Sequence, residues 1–235
     1  MSFSRSSLIP HNDEDRLLAL SRYRVAGTAP EHLFDGIAAL TAKLFGAPIA
    51  LVSLVAEDSV WFKAHFGLPD ATRVNRAQSL CSVAILHDEA TIFENLRQQP
   101  CTLIESDVLE QLNLAFYASQ PLQTTDGFNI GALCVIDHQA RTFTPDEQKL
   151  LKQLAISVML FLELRREGIT LPVPGAPAHL TVPALLHSLT LLAEIGSSGA
   201  AIDIDGNPVG TPAIHQEAGH IMLLINRRLQ EVLAA

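Results

Sequence analysis

The chain has 235 residues, 48% hydrophobic and 17% charged, a balance that excludes extensive disorder and suits one good-sized domain with an appendage, or two small domains. Its formal net charge of −9 argues against a broad nucleic-acid footprint, which wants a basic face. No apolar run approaches the ~20 residues that cross a bilayer, and Met1-Ser-Phe-Ser-Arg-Ser-Ser lacks the apolar core of a signal peptide. Three cysteines without an export signal then predict reduced thiols in the cytoplasm, with neither membrane nor nucleic acid as partner.

After a polar start, Asn12 or Asp13 is placed to cap a short helix with Leu17, Leu18 and Leu20 on its apolar side. Thr28-Ala-Pro-Glu31 reads as a capping box. The helix it opens carries a stripe of Leu33, Ile37, Leu40 and Leu44, closed by Gly46. Pro48–Val55 is a nearly all-apolar, β-rich inner strand, and Val60–Phe66 returns beside it after a turn at Glu57-Asp58. A long loop to Gln78 follows, then a short helix from Ser79 to Leu86 and a short strand at Thr91–Glu94. Residues 95–112 have no clean period and are expected to form a lid over a pocket.

The stretch 120–137 organises the rest. Asp126-Gly127 signals a type I′ hairpin, with positive φ at both central residues. In the strand after it, Ile130, Ala132, Cys134 and Ile136 alternate with Gly131, Leu133, Val135 and Asp137. Seven of these eight are apolar or small, so the strand is expected in the middle of a sheet covered on both faces. Thr144-Pro-Asp-Glu147 is a second capping box, with Pro where a missing N–H costs nothing. Its helix runs to about Glu167 on a stripe of Leu150, Leu154, Val158, Phe161 and Leu164, able to cover the sheet and meet a further helix.

The Ile9-Pro-His-Asn-Asp-Glu run, Arg16-Leu, Phe34-Asp, Pro48-Ile-Ala-Leu-Val-Ser-Leu, Trp61-Phe-Lys and Ser79-Leu-Cys occur in the order of bacterial GAF domains. Phe116-Tyr-Ala, Pro121-Leu, Asn129-Ile-Gly-Ala-Leu-Cys-Val-Ile-Asp and Phe143-Thr-Pro-Asp-Glu continue the pattern. The chain thus resembles that family over about residues 9–167. The resemblance implies an α+β fold: an antiparallel sheet with helices on both faces and a small-molecule pocket on one of them. Residues 1–167 form the expected sensory domain, and 168–183, with four prolines and two glycines, a linker. Residues 184–235 form a small, mainly helical unit of no recognised family. Its last helix carries Ile214, Ala218, Ile221, Ile225, Leu229 and Val232 at helical spacing. That seam must pack on the sensory domain or on another chain. A homodimer through the 144–167 helix, the 213–233 helix or both is the expectation.

Any pocket is expected to draw on Phe62, Cys81, Phe93, Phe116 and Cys134. The cysteines are read first as buried structural thiols. The alternative follows from a resemblance to the GAF-type reductases of free methionine sulfoxide: Cys81 attacks as thiolate and Cys101 resolves the sulfenic acid. The acidic substrate-binding run of those enzymes is not recognisable here. The Asp-Pro and Cys-His signatures of bilin attachment and the Asn-Lys-Phe-Asp-Glu run of cyclic-nucleotide sites are missing too. His215 and His220 stand five residues apart, which separates them by about 140° on a helix. They are expected to be surface residues, with no metal site and no cofactor required. His65 and His87 are weaker pocket candidates. The expected function is a non-catalytic sensory module that binds a small molecule or a signalling protein and reports through its helices.

Overall fold

The computed structural model describes residues 8–28, 31–68, 72–104, 113–169, 182–198 and 211–234. Six strands form one sheet: β1 (Ile49–Val55), β2 (Ser59–Phe66), β3 (Arg73–Asn75), β4 (Thr91–Phe93), β5 (Phe116–Gln123) and β6 (Asn129–Asp137). The order is β3-β2-β1-β6-β5-β4 and every pairing is antiparallel. The two strands expected inside the sheet, β1 and β6, are neighbours at its centre, with Leu51 opposite Cys134 and Ala50 opposite Val135. Both are buried on both faces, as their unbroken apolar sequences require.

Among the described residues the helices are α1 (Asp13–Tyr23), α2 (His32–Phe45), α3 (Leu80–Ala84), α4 (Pro145–Arg166), α5 (Val182–Ser198) and α6 (Thr211–Leu233). One sheet face, through Val52, Leu54, Phe116, Ala118, Leu133 and Val135, joins the core made by α1, α2, α4, α5 and α6. The other face, through Leu51, Val55, Tyr117, Cys134 and Ile136, is covered by α3 and by residues from the 96–104 segment. The fold is α+β with helical cover on both sides. No described helix is long and apolar enough to cross a membrane.

Several local expectations change. Thr28 and Glu31 do not form a capping box. Helix α2 starts at His32, and its N-cap residue Glu31 makes no side-chain cap bond. Both side chains are taken by Lys63, whose ammonium donates to Thr28 Oγ1 at 2.8 Å and to Glu31 Oε1 at 2.5 Å. A buried ammonium outcompetes a backbone amide for a carboxylate. Lys63 points there because β2 is irregular at this point: Ala64 pairs with Val52 and Phe62 with Ser53, leaving Lys63 as the extra residue. Asn12 also makes no side-chain cap bond. Leu18, expected inside, is 66% exposed, and Arg16 lies buried instead. The loop before Ser79 contains β3, a three-residue edge strand.

The 124–128 hairpin is not type I′. Gly127 alone among its loop residues has positive φ, Gly127 N–H donates to the Thr124 carbonyl, and Thr124 N–H to that of Phe128. This is the three-residue loop in which a type I turn is followed by a left-handed glycine. The shift it creates pairs Gln123 with Asn129 and Leu122 with Gly131. Ile130 is the residue left over, and it joins the helix-side core rather than the face of Cys134. At Thr144, by contrast, both halves of the expected capping box are present, and Ser79 caps α3 through the Cys81 amide.

The C-terminal helices fold back on the same chain. Helix α6 packs on α4 and α5, and α5 on α2. Ala218, Met222, Ile225 and Leu229 are fully buried there. Of the two covers expected for this seam, the sensory domain of the same chain supplies it, through α4. His215 is buried rather than on the surface: its ring Nε2 donates to the Leu44 carbonyl at 2.8 Å, and the ring lies 5.6 Å from that of Phe45. His220 is exposed beside Glu217. Most of the 168–183 linker, residues 199–210 and residues 105–112 of the expected lid lie outside the described residues.

Candidate functional site

Four of the five predicted pocket residues share one face. Cys81 enters from the first turn of α3, Cys134 from the middle of β6, and Phe62 and Phe93 pack at the margin of the same cluster. Phe116 does not join them: it faces the helices, against Phe143 with ring centroids 5.7 Å apart. Its neighbour Tyr117 takes that place, 1% exposed, its hydroxyl close enough to Cys81 to act on the thiol but without a hydrogen bond of good geometry among the described residues. Side chains alternate along a strand, so β5 can give this face Tyr117 or Phe116 but not both.

The thiol in contact with Cys81 is Cys134, with sulfurs 3.9 Å apart, not Cys101. Cys101 is buried nearby among Leu103 and Ile104 in the same cluster, and burial holds its thiol up. The groups acting on Cys81 are neutral. A hydrogen bond from Cys134 draws its thiol down against the cost of burial, and Ser53, Ser79 and Tyr117 add to that pull. Burial first, and then Cys81 itself, hold Cys134 up. Burial also raises Tyr117, with the two sulfurs adding to it. Of these two thiols, then, Cys81 ionises first, in a setting that is almost completely sealed.

A separate cleft of ≈720 Å³ opens at the hairpin end of the sheet. Its walls are Pro10, His11, Asn12 and Arg16 at the start of α1, Ile85–Thr91 after α3, and Gly127 and Asn129 at the turn into β6. None of the five predicted pocket residues lines it. Asn129 lies five residues before Cys134, roughly 16 Å along the strand. Of the two weaker histidine candidates, His87 lines this cleft, and His65 sits half-buried in β2.

Arg16 is the cleft residue that sequence reasoning missed. Its guanidinium donates Nε to Asp13 at 2.7 Å and Nη1 to the Val55 carbonyl at 2.6 Å. Arg76 holds the same Asp13 through two 2.8 Å bonds. Burial works to raise the Asp13 carboxyl, and the Arg76 and Arg16 bonds overcome it, so Asp13 sits below the ordinary carboxylate range. The signal available in the sequence was a helix start, Asp13-Glu14-Asp15-Arg16, with an arginine on the apolar side.

The family model described as GAF domain matches residues 29–162. A cyclic di-GMP phosphodiesterase of Pseudomonas aeruginosa is 31% identical over 138 residues, covering 56% of this chain and 22% of that protein. The chain therefore spans about a fifth of that relative's length. Among solved structures, the free methionine-R-sulfoxide reductase of Neisseria meningitidis matches with TM-score 0.50 and 17% identity over 64% of this chain and 89% of that one. The GAF domain of an Acinetobacter phosphoenolpyruvate-protein phosphotransferase matches with TM-score 0.45 and 13% identity, over 66% and 92%. A central β1–β6 pair, a face covered by α3, a helical face opposite and a family match over more than half its length identify the chain as a member of the GAF-domain family.

Proposed function

We propose that this chain is a non-catalytic sensory module that binds a small molecule or a signalling partner on the α3 side of its sheet and reports through the helices on the other. The observation that carries this is the division of the molecule by one sheet. Strand β6 gives Cys134 to the α3 face and Leu133 and Val135 to the helical core, so a shift of the strand on one side is felt on the other. The sealed thiols favour binding over catalysis, because a nucleophile must be reachable. Free cysteines support a reducing compartment, the cytoplasm, as the setting of the module in this reading.

Self-association through helices belongs to the same reading but needs a new surface. With the inner seam of α6 packed on α4, a homodimer would use the outer face of α6, where Leu223 and Leu224 are each about half exposed. A second reading rests on the Cys81–Cys134 contact: a redox pair in which Cys134, rather than Cys101, is the resolving thiol. Native mass spectrometry of protein purified from its host tests the main reading. A retained small molecule or a bound partner chain supports it; a bare monomer, unresponsive to any metabolite added afterwards, contradicts it.

A further inference from the structure

The cleft at the hairpin end has a volume within the ~300–1,000 Å³ of small-molecule sites. Arg16, 1% exposed, forms part of its wall. Its Nη2 finds no acceptor among the described residues, although Nε and Nη1 are both satisfied. Asp13 serves two buried guanidiniums at once, so that cluster holds one more positive charge than negative. Buried donors are almost always paired, and a buried charge without a counter-ion costs more still.

The residues around Asn129, also lining the cleft, have the reverse deficit. Asn129 spends its amide nitrogen on the carbonyls of Ile85 and His87 and on Asp88 Oδ1. Three acceptors fix which end of that amide is nitrogen, and among the described residues Asn129 Oδ1 is left buried without a donor. Thr91 Oγ1, which lines the cleft with it, also has no partner among the described residues. Asp88 and Glu89 add two exposed carboxylates at the rim. Arg16 wants an anion and the residues around Asn129 want a donor, preferably a cation. A nucleotide or polyphosphate would meet one arginine against the Asp88 carboxylate and a Glu89 only loosely paired with Lys152 at 3.7 Å, in a chain of net charge −9, and be disfavoured.

We propose that this cleft binds a small zwitterion of the α-amino acid class, its carboxylate on Arg16 Nη2 and its ammonium on the Asn129 side. The proposal rests on the sensory reading and names its ligand class and site.

Thermal denaturation of the full chain tests it. The probes are the free L-amino acids, each with its analogue lacking the amine, its analogue lacking the carboxylate, and inorganic phosphate. One or more amino acids should raise Tm by about 5 °C at a hundred times Kd, and neither analogue nor phosphate should do so. Asp88→Asn keeps the Asn129 bond through its own carbonyl and should weaken binding about tenfold. Arg16→Lys should weaken it further if that variant folds; Asp88→Asn decides the matter if it does not. Silence of every amino acid, an equal response to phosphate, or undiminished binding by Asp88→Asn would overturn the proposal. A response to some other metabolite, insensitive to Asp88→Asn, would overturn this site and leave the sensory reading standing. Silence of a whole metabolite library would overturn both.

Discussion

Asn226 on α6 and Ser157 on α4 meet inside an otherwise apolar helix interface, Ser157 Oγ lying 2.5 Å from Asn226 Oδ1. The amide nitrogen of Asn226 donates to the carbonyl and the side-chain oxygen of Gln153, both at 3.0 Å. This polar latch fixes the register in which the C-terminal helix lies on the domain, as a single buried polar residue does in a helical seam. Asn226→Ala leaves buried partners unsatisfied and should cost about 1–3 kcal/mol in chemical denaturation. Asn226→Leu should lose register as well, seen as broadened amide resonances from α6.

Gly131 and Gly36 should respond to alanine in opposite directions. A Cβ on Gly131 would stand 2.0 Å from the Ser53 carbonyl oxygen, which belongs to the paired central strand. Backbone in the middle of a ladder cannot give way. Gly131→Ala should therefore cost more than the ~1–3 kcal/mol of ordinary overpacking. Gly36 lies inside α2 with nothing within 4 Å of its added Cβ. Gly36→Ala should stabilise by up to about 1 kcal/mol. Calorimetric Tm values check both.

The Asp13 cluster makes stability fall in acid. Its carboxyl sits below its unfolded value, so its contribution is complete above roughly pH 4 and is lost as pH falls through the folded value. Asp13→Asn removes the shared counter-ion of Arg16 and Arg76 and should cost about 3–5 kcal/mol near neutrality. The gap between wild type and variant should close toward low pH in urea denaturation at stepped pH.

The thiols should be slow. Cys81 and Cys134 are sealed under α3, and Cys101 is 7% exposed. Alkylation of native protein should leave all three largely unmodified over the time in which the unfolded chain reacts completely. Fast, selective labelling of Cys81 would instead favour the redox reading, and a Cys81–Cys134 disulfide after peroxide treatment would establish it. Forming that bond requires the sulfurs to close from 3.9 Å to about 2.05 Å.

What the sequence revealed, and what it hid, follows from the kind of signal each feature leaves. Strands β1 and β6 were legible because burial on both faces writes an unbroken apolar run. Thr144-Pro-Asp-Glu147 and Ser79 were legible because caps are local chemistry. Strand β3 was not, since Arg73, Val74 and Asn75 are strand only by pairing with Ser59, Val60 and Trp61. Phe116 was assigned to the wrong face although the pairing decides it: Ser119 stands opposite Cys134 and Phe116 opposite Asp137, so alternation along β5 puts Tyr117 and Ser119, not Phe116, on the face of Cys134. Arg16, Lys63 and His215 were hidden for a common reason: their burial rests on partners 39, 32 and 171 residues away, Val55, Glu31 and Leu44. The fold-back of α6 belongs with them, because an apolar seam does not say which helix will cover it.

Hydrogen exchange of the full chain, with and without the amino acid that most raises Tm, tests the sensory account most directly. The account predicts protection at residues 85–91 and 127–131, together with a change in exchange along Thr211–Leu233 on the far side of the sheet. Protection confined to the cleft, with Thr211–Leu233 unchanged, would contradict it.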